Sequence, residues 1–249
     1  MISKFGKWKS PGIDKIRTYW WAKLSSTHQL LADIYDNLSR DPTRIPEWFT
    51  NGITLLIPKK TDTANPANYR PITCLPTMYK IFSSIIDQRM KDHMQANSLI
   101  PDEQKGAGSG TYGCIDQILI DCMNTDEAKK KKRNLSVAWI DYKKAFDSVP
   151  HDWIIESLKM HNFDEKIIKF FEHTMPQWKT NLYIRSGTEE IKSDTIGINS
   201  GIFQGDIPSP DIFYPVSPPT IILTEGNKNG FCRRTGKKQH KNFSPTFCR

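Results

Sequence analysis

Ser136-Val-Ala-Trp-Ile-Asp-Tyr-Lys-Lys-Ala-Phe-Asp-Ser-Val-Pro150 is the stretch on which the reading of this chain turns. Val137, Trp139 and the ends of the apolar run fit a half-buried strand that delivers Asp141 at its carboxyl end. Open sheets present ligand-binding groups at that end, so Asp141 is a candidate metal-binding carboxylate. An aromatic, Phe146, follows five positions later. An Asp that starts a turn or caps a helix explains this stretch alone equally well. Asp147, before Ser-Val-Pro-His-Asp, is expected to cap the helix that follows.

Outward from this stretch the chain alternates helical and extended patterns. Ser10-Pro11-Gly12 reads as a turn, followed by a helix running to about Arg40 with Leu30, Leu31, Ile34 and Leu38 at helical spacing. Gly52–Pro58 is a short strand with Ile53, Leu55 and Ile57 in alternation, and a polar loop from Lys59 to Asn68 follows. Tyr69–Thr73 is extended again, and Thr77–Met94 is a helix with Tyr79, Phe82, Ile85, Ile86 and Met90 on one face. A Gly-rich loop, Gly106–Gly113, opens into a helix holding Ile115, Ile118 and Leu119, and the basic run Lys129–Arg133 reads as a solvated loop. Asp152–Lys159 is expected helical with Trp153, Ile155 and Leu158 buried. Asp164 is placed to cap a helix whose apolar face is Ile167, Phe170 and Phe171. Thr180–Lys192 is a hairpin turning at Ser186-Gly187.

Composition narrows the function classes. The net charge of +8 over 249 residues fits a polyanionic partner. No stretch approaches the roughly 20 apolar residues of a membrane span, and the amino terminus lacks the apolar core of a signal peptide, so no membrane partner is expected. Five cysteines, none in a Cys-x-x-Cys pair, argue against a disulfide scaffold or a structural zinc site. The expected location is intracellular, cytoplasmic or nuclear.

Four segments, in order, carry a resemblance. They are Asn68-Tyr-Arg-Pro-Ile-Thr-Cys-Leu-Pro-Thr-Met-Tyr-Lys-Ile-Phe82, Asp102-Glu-Gln-Lys-Gly-Ala-Gly-Ser-Gly-Thr-Tyr-Gly-Cys-Ile-Asp-Gln117, Trp139-Ile-Asp-Tyr-Lys-Lys-Ala-Phe-Asp-Ser-Val-Pro-His151 and Gly201-Ile-Phe-Gln-Gly-Asp206. They resemble two finger segments and the first two palm motifs of reverse transcriptases, and the LINE-like, non-LTR retrotransposon enzymes most of all. Lys7-Trp-Lys-Ser-Pro-Gly-Ile-Asp14 is similar to that family's lead-in. The resemblance spans roughly residues 7 to 210. It implies an α/β right-hand polymerase fold with fingers and a partial palm, the thumb being absent from this chain. The implied activity is RNA-directed DNA polymerisation, with RNA template, DNA primer and dNTP as partners. Two Mg²⁺ ions about 4 Å apart would clamp the attacking and leaving oxygens.

Under that resemblance Asp141 is the first metal ligand and Phe146 the aromatic that packs beneath the sugar and excludes a 2′-hydroxyl. Arg70 grips the triphosphate, a task its forked guanidinium suits, and Lys59 or Lys60 assists or is simply solvated. Gln204 and Gly205 pack against the incoming nucleotide and template base, the glycine allowing a close backbone approach. The chain also departs from the pattern. It contains no Asp-Asp pair, and Pro208 and Asp211 stand where relatives carry apolar residues. Pro208, Pro210, Pro215, Pro218 and Pro219 rule out a regular helix past Pro215. Three regions are expected: lead-in and fingers over 1–135, a partial palm over 136–210, and an irregular basic, proline-containing tail over 211–249. With one of three metal carboxylates, Mg²⁺ would be poorly held and polymerisation by this chain alone is not expected. The rival readings are a non-catalytic nucleic-acid-binding remnant, and a chain that does not fold stably.

Overall fold

A computed structural model describes residues 2–59, 61–62, 64–100, 112–137, 144–186 and 189–216. The chain divides into two compact units, Met1–Ile100 with Asp141–Ser217, and Pro101–Ile140 with Pro218–Arg249.

The larger unit is built on a mixed sheet. Its strands are β1 (Asn51–Pro58), β2 (Tyr69–Cys74), β3 (Lys179–Ser186), β4 (Glu189–Lys192) and the short β5 (Ile196–Gly197). The order is β2-β1-β3-β4, with β5 pairing β3. β1 and β2 are antiparallel with Ile53 opposite Cys74, while β1 and β3 run parallel with Asn51 opposite Lys179. The expected hairpin is β3–β4, with Ser186 opposite Glu189.

The buried face of the sheet is hydroxyl-lined. Thr54 Oγ1 lies 2.8 Å from both Thr73 Oγ1 and Thr180 Oγ1, and Thr180 Oγ1 donates to Gly52 O at 3.1 Å. Strand β1 was expected to present Ile53, Leu55 and Ile57 as its apolar set, yet Gly52 and Thr54 are its buried positions and Ile57 is 47% exposed. The small threonines fit here because they satisfy one another's hydroxyls, so burying them leaves no orphaned polar group.

The helices are α1 (Thr18–Lys23), α2 (His28–Arg40), α3 (Thr77–Ala96), α4 (Cys114–Lys130), α5 (Ala145–Ser148), α6 (His151–Met160), α7 (Glu165–Thr174) and α8 (Ser209–Val216). The single helix expected up to Arg40 is two helices, interrupted at Leu24–Thr27. Thr27 Oγ1 donates to Leu24 O at 2.7 Å, the local competition with helical hydrogen bonds that Ser and Thr residues offer.

Helix α3 is the core's axis. Tyr79, Phe82, Ile86, Met90 and Met94 recur every three or four residues and are buried. Phe170 of α7 meets Phe82 edge-on at 5.5 Å, and Tyr35 of α2 stacks on Phe82 at 5.2 Å. Each such side chain contributes about 1.5–3 kcal/mol through burial. Asp164 caps α7 as expected, accepting from Lys166 N at 2.7 Å. Helix α6 corrects the expectation: it buries Ile154, Ser157 and Leu158, leaving Trp153 45% exposed and Ile155 half-buried. Trp153 and Ile155 are about 200° apart on a helix and cannot share a face, whereas residues 154, 157 and 158 can.

Helix α3 follows Pro76 and has no cap from that residue. The lead-in supplies one instead: Asp14 Oδ2 accepts from Thr77 N at 3.1 Å, and Thr77 Oγ1 donates to Ile16 O at 2.5 Å. A Cβ at Gly12 would stand 2.3 Å from the Leu75 carbonyl carbon, so only glycine lets the lead-in lie this close.

In the smaller unit, α4 carries Lys129 and Lys130 in its last turn, so the basic run expected as a loop begins inside a helix. Lysine there complements the helix dipole. The strand expected to deliver Asp141 falls largely on 138–143, outside the described residues; residues 134–137 before it are irregular and Val137 is 56% exposed.

Candidate functional site

The two segments expected to form a palm are sewn together by backbone hydrogen bonds. Ile202 N donates to Phe146 O at 2.8 Å and Gly201 N to Val149 O at 2.7 Å. His151 Nε2 donates to Gly201 O at 2.9 Å, and burial lowers the His151 pKa. Gly201 has φ +81°, and a Cβ there would stand 2.7 Å from Asp147 Cα. The loop then docks on the sheet: Thr73 N donates to Gln204 O at 2.8 Å. Gly205 has φ +119°, and a Cβ on it would meet Thr73 O at 2.7 Å. The close approach that requires this glycine is therefore to the backbone of β2.

Between loop and sheet lies a cleft of about 230 Å³. Thr54, Thr73 and Thr180 line it from the sheet, Asp147 from α5, and Ser200 and Gln204 from the loop, alongside the apolar Pro71, Leu182, Ile198, Ile202 and Phe203. Gln204 Nε2 donates to Asp147 Oδ1 at 3.5 Å. Asp147 was expected to cap the next helix. Instead it lies within α5, and α6 begins after Pro150 with no side-chain cap. The N-cap position of α6 is Pro150, three positions past Asp147, so the Asp147 carboxylate is not the cap.

Gln204 thus reaches the cleft, and Gly205 sets the loop against the sheet. Phe146 is half-buried, its ring 5.0 Å from that of Phe213 and packed on the core. Arg70 is exposed on β2 opposite Ile57, and strand alternation puts it on the other face from Thr73. The Lys59 side chain is exposed just past β1, and the Lys59 backbone N–H donates to Asn68 O at 2.6 Å. Lys60 and Asp141 lie outside the described residues.

Three carboxylates whose burial the sequence does not announce are Asp87, Asp206 and Asp211. Asp206 accepts from Tyr79 Oη at 2.9 Å, Ser83 Oγ at 3.3 Å and Ile207 N at 2.8 Å. Burial pushes its pKa up to about 6 against the pull of these donors and of Lys80. Tyr79 is raised in turn, by burial and then by the Asp206 charge. Burial also lowers Lys80. The available signal was Tyr79 and Ser83 at i, i+4 on one helix face, one turn of hydroxyls aimed at a common acceptor.

Asp211 of α8 is buried beside Asp87 of α3. Lys91 Nζ lies 2.6 Å from Asp87 Oδ2 and 3.3 Å from Asp211 Oδ2. Burial first, then the neighbouring Asp87, pushes Asp211 up to about 7. Burial pulls Lys91 down, but the two carboxylates more than offset it and its pKa is raised.

Among the described residues no three His, Cys, Asp or Glu side chains are grouped to hold a metal ion. The donor set among the described residues does not fit a two-ion site.

Residues 57–216 match the family model described as reverse transcriptase (RNA-dependent DNA polymerase). The chain belongs to the reverse transcriptase family. It is 28% identical over 176 residues to a retrovirus-related Pol polyprotein from a type-1 retrotransposable element R2 of Popillia japonica, covering 69% of this chain and 23% of that protein. It is 24% identical over 225 residues to a probable RNA-directed DNA polymerase from transposon BS of Drosophila melanogaster, covering 86% of this chain and 25% of that one. The chain thus spans about a quarter of the length of these curated relatives. A solved apo telomerase from Candida tropicalis matches with TM-score 0.40 and 16% identity over 80% of this chain and 44% of that chain.

The fold class expected from the sequence, mixed α/β of the reverse-transcriptase kind, is the one found. The retrotransposon ancestry expected from the motifs is that of these relatives.

Proposed function

We propose that this chain is the fingers and partial palm of a non-LTR retroelement RNA-directed DNA polymerase, and that by itself it binds template and primer without copying them. The reading rests on one observation: the Gln204–Gly205 loop is locked on β2 and forms, with it, a cleft whose lining includes Gln204. RNA template, DNA primer and dNTP are its proposed ligands, and Mg²⁺ its proposed metal, held at Asp141. Bound Mg²⁺ would neutralise charge on the triphosphate. Arg70, with Lys59 or Lys60, is assigned to the phosphates and Phe146 to the sugar. The region boundaries proposed are 1–135 for lead-in and fingers, 136–210 for the partial palm and 211–249 for the tail.

Binding without turnover follows from the carboxylates. These 249 residues contain no Asp-Asp pair to join Asp141, and a hard divalent ion needs several oxygen ligands on rigid elements. The test is fluorescence anisotropy of a labelled DNA primer on an RNA template. The folded chain should bind, with affinity falling as salt rises by roughly 0.7–0.9 log units per phosphate neutralised. Asp141→Ala should bind as the wild type, and Gln204→Ala more weakly. Absence of binding by folded protein would overturn the reading.

A further inference from the structure

The lead-in carries an arrangement that neither the fold nor the cleft uses. Trp8 and Trp20 are 64% and 55% exposed. Tyr19 lies between them, stacked on Trp8 at 4.8 Å with 17° between planes and edge-on to Trp20 at 5.3 Å. The pile is held in place: Tyr19 N donates to Lys7 O at 3.1 Å, and Gly12 fastens the segment against Leu75 and Pro76. Leu75 follows Thr73 by two residues, so the pile is attached at the end of a strand that lines the cleft.

Cations interleave with these rings. Lys7, Lys9, Lys15, Arg17 and Lys23 are all exposed, and Asp14 is the one acid between residues 7 and 23. Asp14 is engaged by Thr77 N and Ile16 N. Among the described residues, none of the five cations makes an ion pair. Arg17 does place its guanidinium carbon 5.8 Å from the Trp8 ring centroid. Exposed aromatic faces bordered by unpaired cations suit a ligand that offers flat rings and phosphates together. An acidic peptide would satisfy the cations and leave the rings wet. A duplex would offer phosphates but keep its bases stacked inside.

We propose that the surface formed by Trp8, Tyr19 and Trp20 with Lys7, Lys9 and Lys15 is a binding platform for single-stranded RNA, its bases stacking on the two tryptophans. It extends the nucleic-acid reading above, on which it rests, to a surface outside the family match at 57–216.

The test titrates the full chain into a 5′-fluorescein 15-nucleotide single-stranded RNA, using variants first shown to melt as the wild type does. Trp8→Ala and Trp20→Ala should each weaken binding roughly ten-fold, with Trp→Phe restoring most of it. Lys7→Gln with Lys9→Gln should lower the log–log salt slope by about one per lysine removed. An RNA duplex of the same sequence should bind at least about ten-fold more weakly than the single strand. The proposal falls if the Trp8/Trp20 double variant binds as the wild type, if duplex and single strand bind alike, or if a poly-glutamate peptide competes as well as RNA. Loss of binding in Gln204→Ala with the tryptophan variants unaffected would sink the platform and leave the cleft reading standing. No binding by the wild type would sink both.

Discussion

Gly205 shows how much one residue decides. Its φ of +119° and the 2.7 Å from its would-be Cβ to Thr73 O mean that an alanine must strain the loop or push it off β2. Gly205→Ala should cost about 1–3 kcal/mol, lowering Tm by several degrees in a chain of this size. Gly197→Ala is the control, because a Cβ there meets only Asn199 Oδ1, at 3.7 Å, and the melt should hardly move. Asp206 makes a pH prediction. Its carboxyl titrates at about 6 in the fold against 3.8 as a free group, so the fold holds the proton more tightly. The stability this confers is full below pH 3.8 and is lost as pH rises through 6, about 3 kcal/mol in all. Thermal melts from pH 4 to 8 should show Asp206→Asn gaining on the wild type across that window; parallel curves would refute the assignment. The need for glycine at 205 was legible in the Gln-Gly pair, but what it approaches was not. Nor was the bond from Asp206 to Tyr79, because 127 residues separate the partners.

At the scale of elements, Asp211 ties α8 to α3 through Lys91. Two buried carboxylates, Asp87 and Asp211, lie against each other and both contact Lys91. With Asp211 raised to about 7, its contribution is full below pH 3.8 and lost as pH rises through 7. Asp211→Asn should therefore raise Tm at pH 8 and leave it near the wild type at pH 4; a lower Tm at pH 8 would contradict this. Asp164→Ala removes the cap of α7 and should cost about 1 kcal/mol in a denaturant melt. Elements with strong local signals were readable: α3 from its apolar period, α7 from its cap, β3–β4 from its turn. Those governed by distant partners were not. The parallel pairing of β1 with β3 joins residues 128 positions apart, and no local pattern announces it. The Thr54–Thr73–Thr180 triad defeats hydrophobic alternation for the same reason, because its polarity is cancelled only after the strands meet.

At the scale of the whole molecule, the proposed nucleic-acid partner suits the +8 charge and the family match over 57–216. The order of the four motifs made the family legible, since each segment is short and keeps its local chemistry. The catalytic outcome turns on carboxylates that must converge from separate segments. The most direct measurement is primer extension by the folded chain on an RNA template with dNTPs and Mg²⁺, beside Asp141→Ala. Bound primer–template and no added nucleotide are expected from either protein. Extension by the wild type that disappears in Asp141→Ala would contradict it, because a complete set of metal ligands would then exist in this chain.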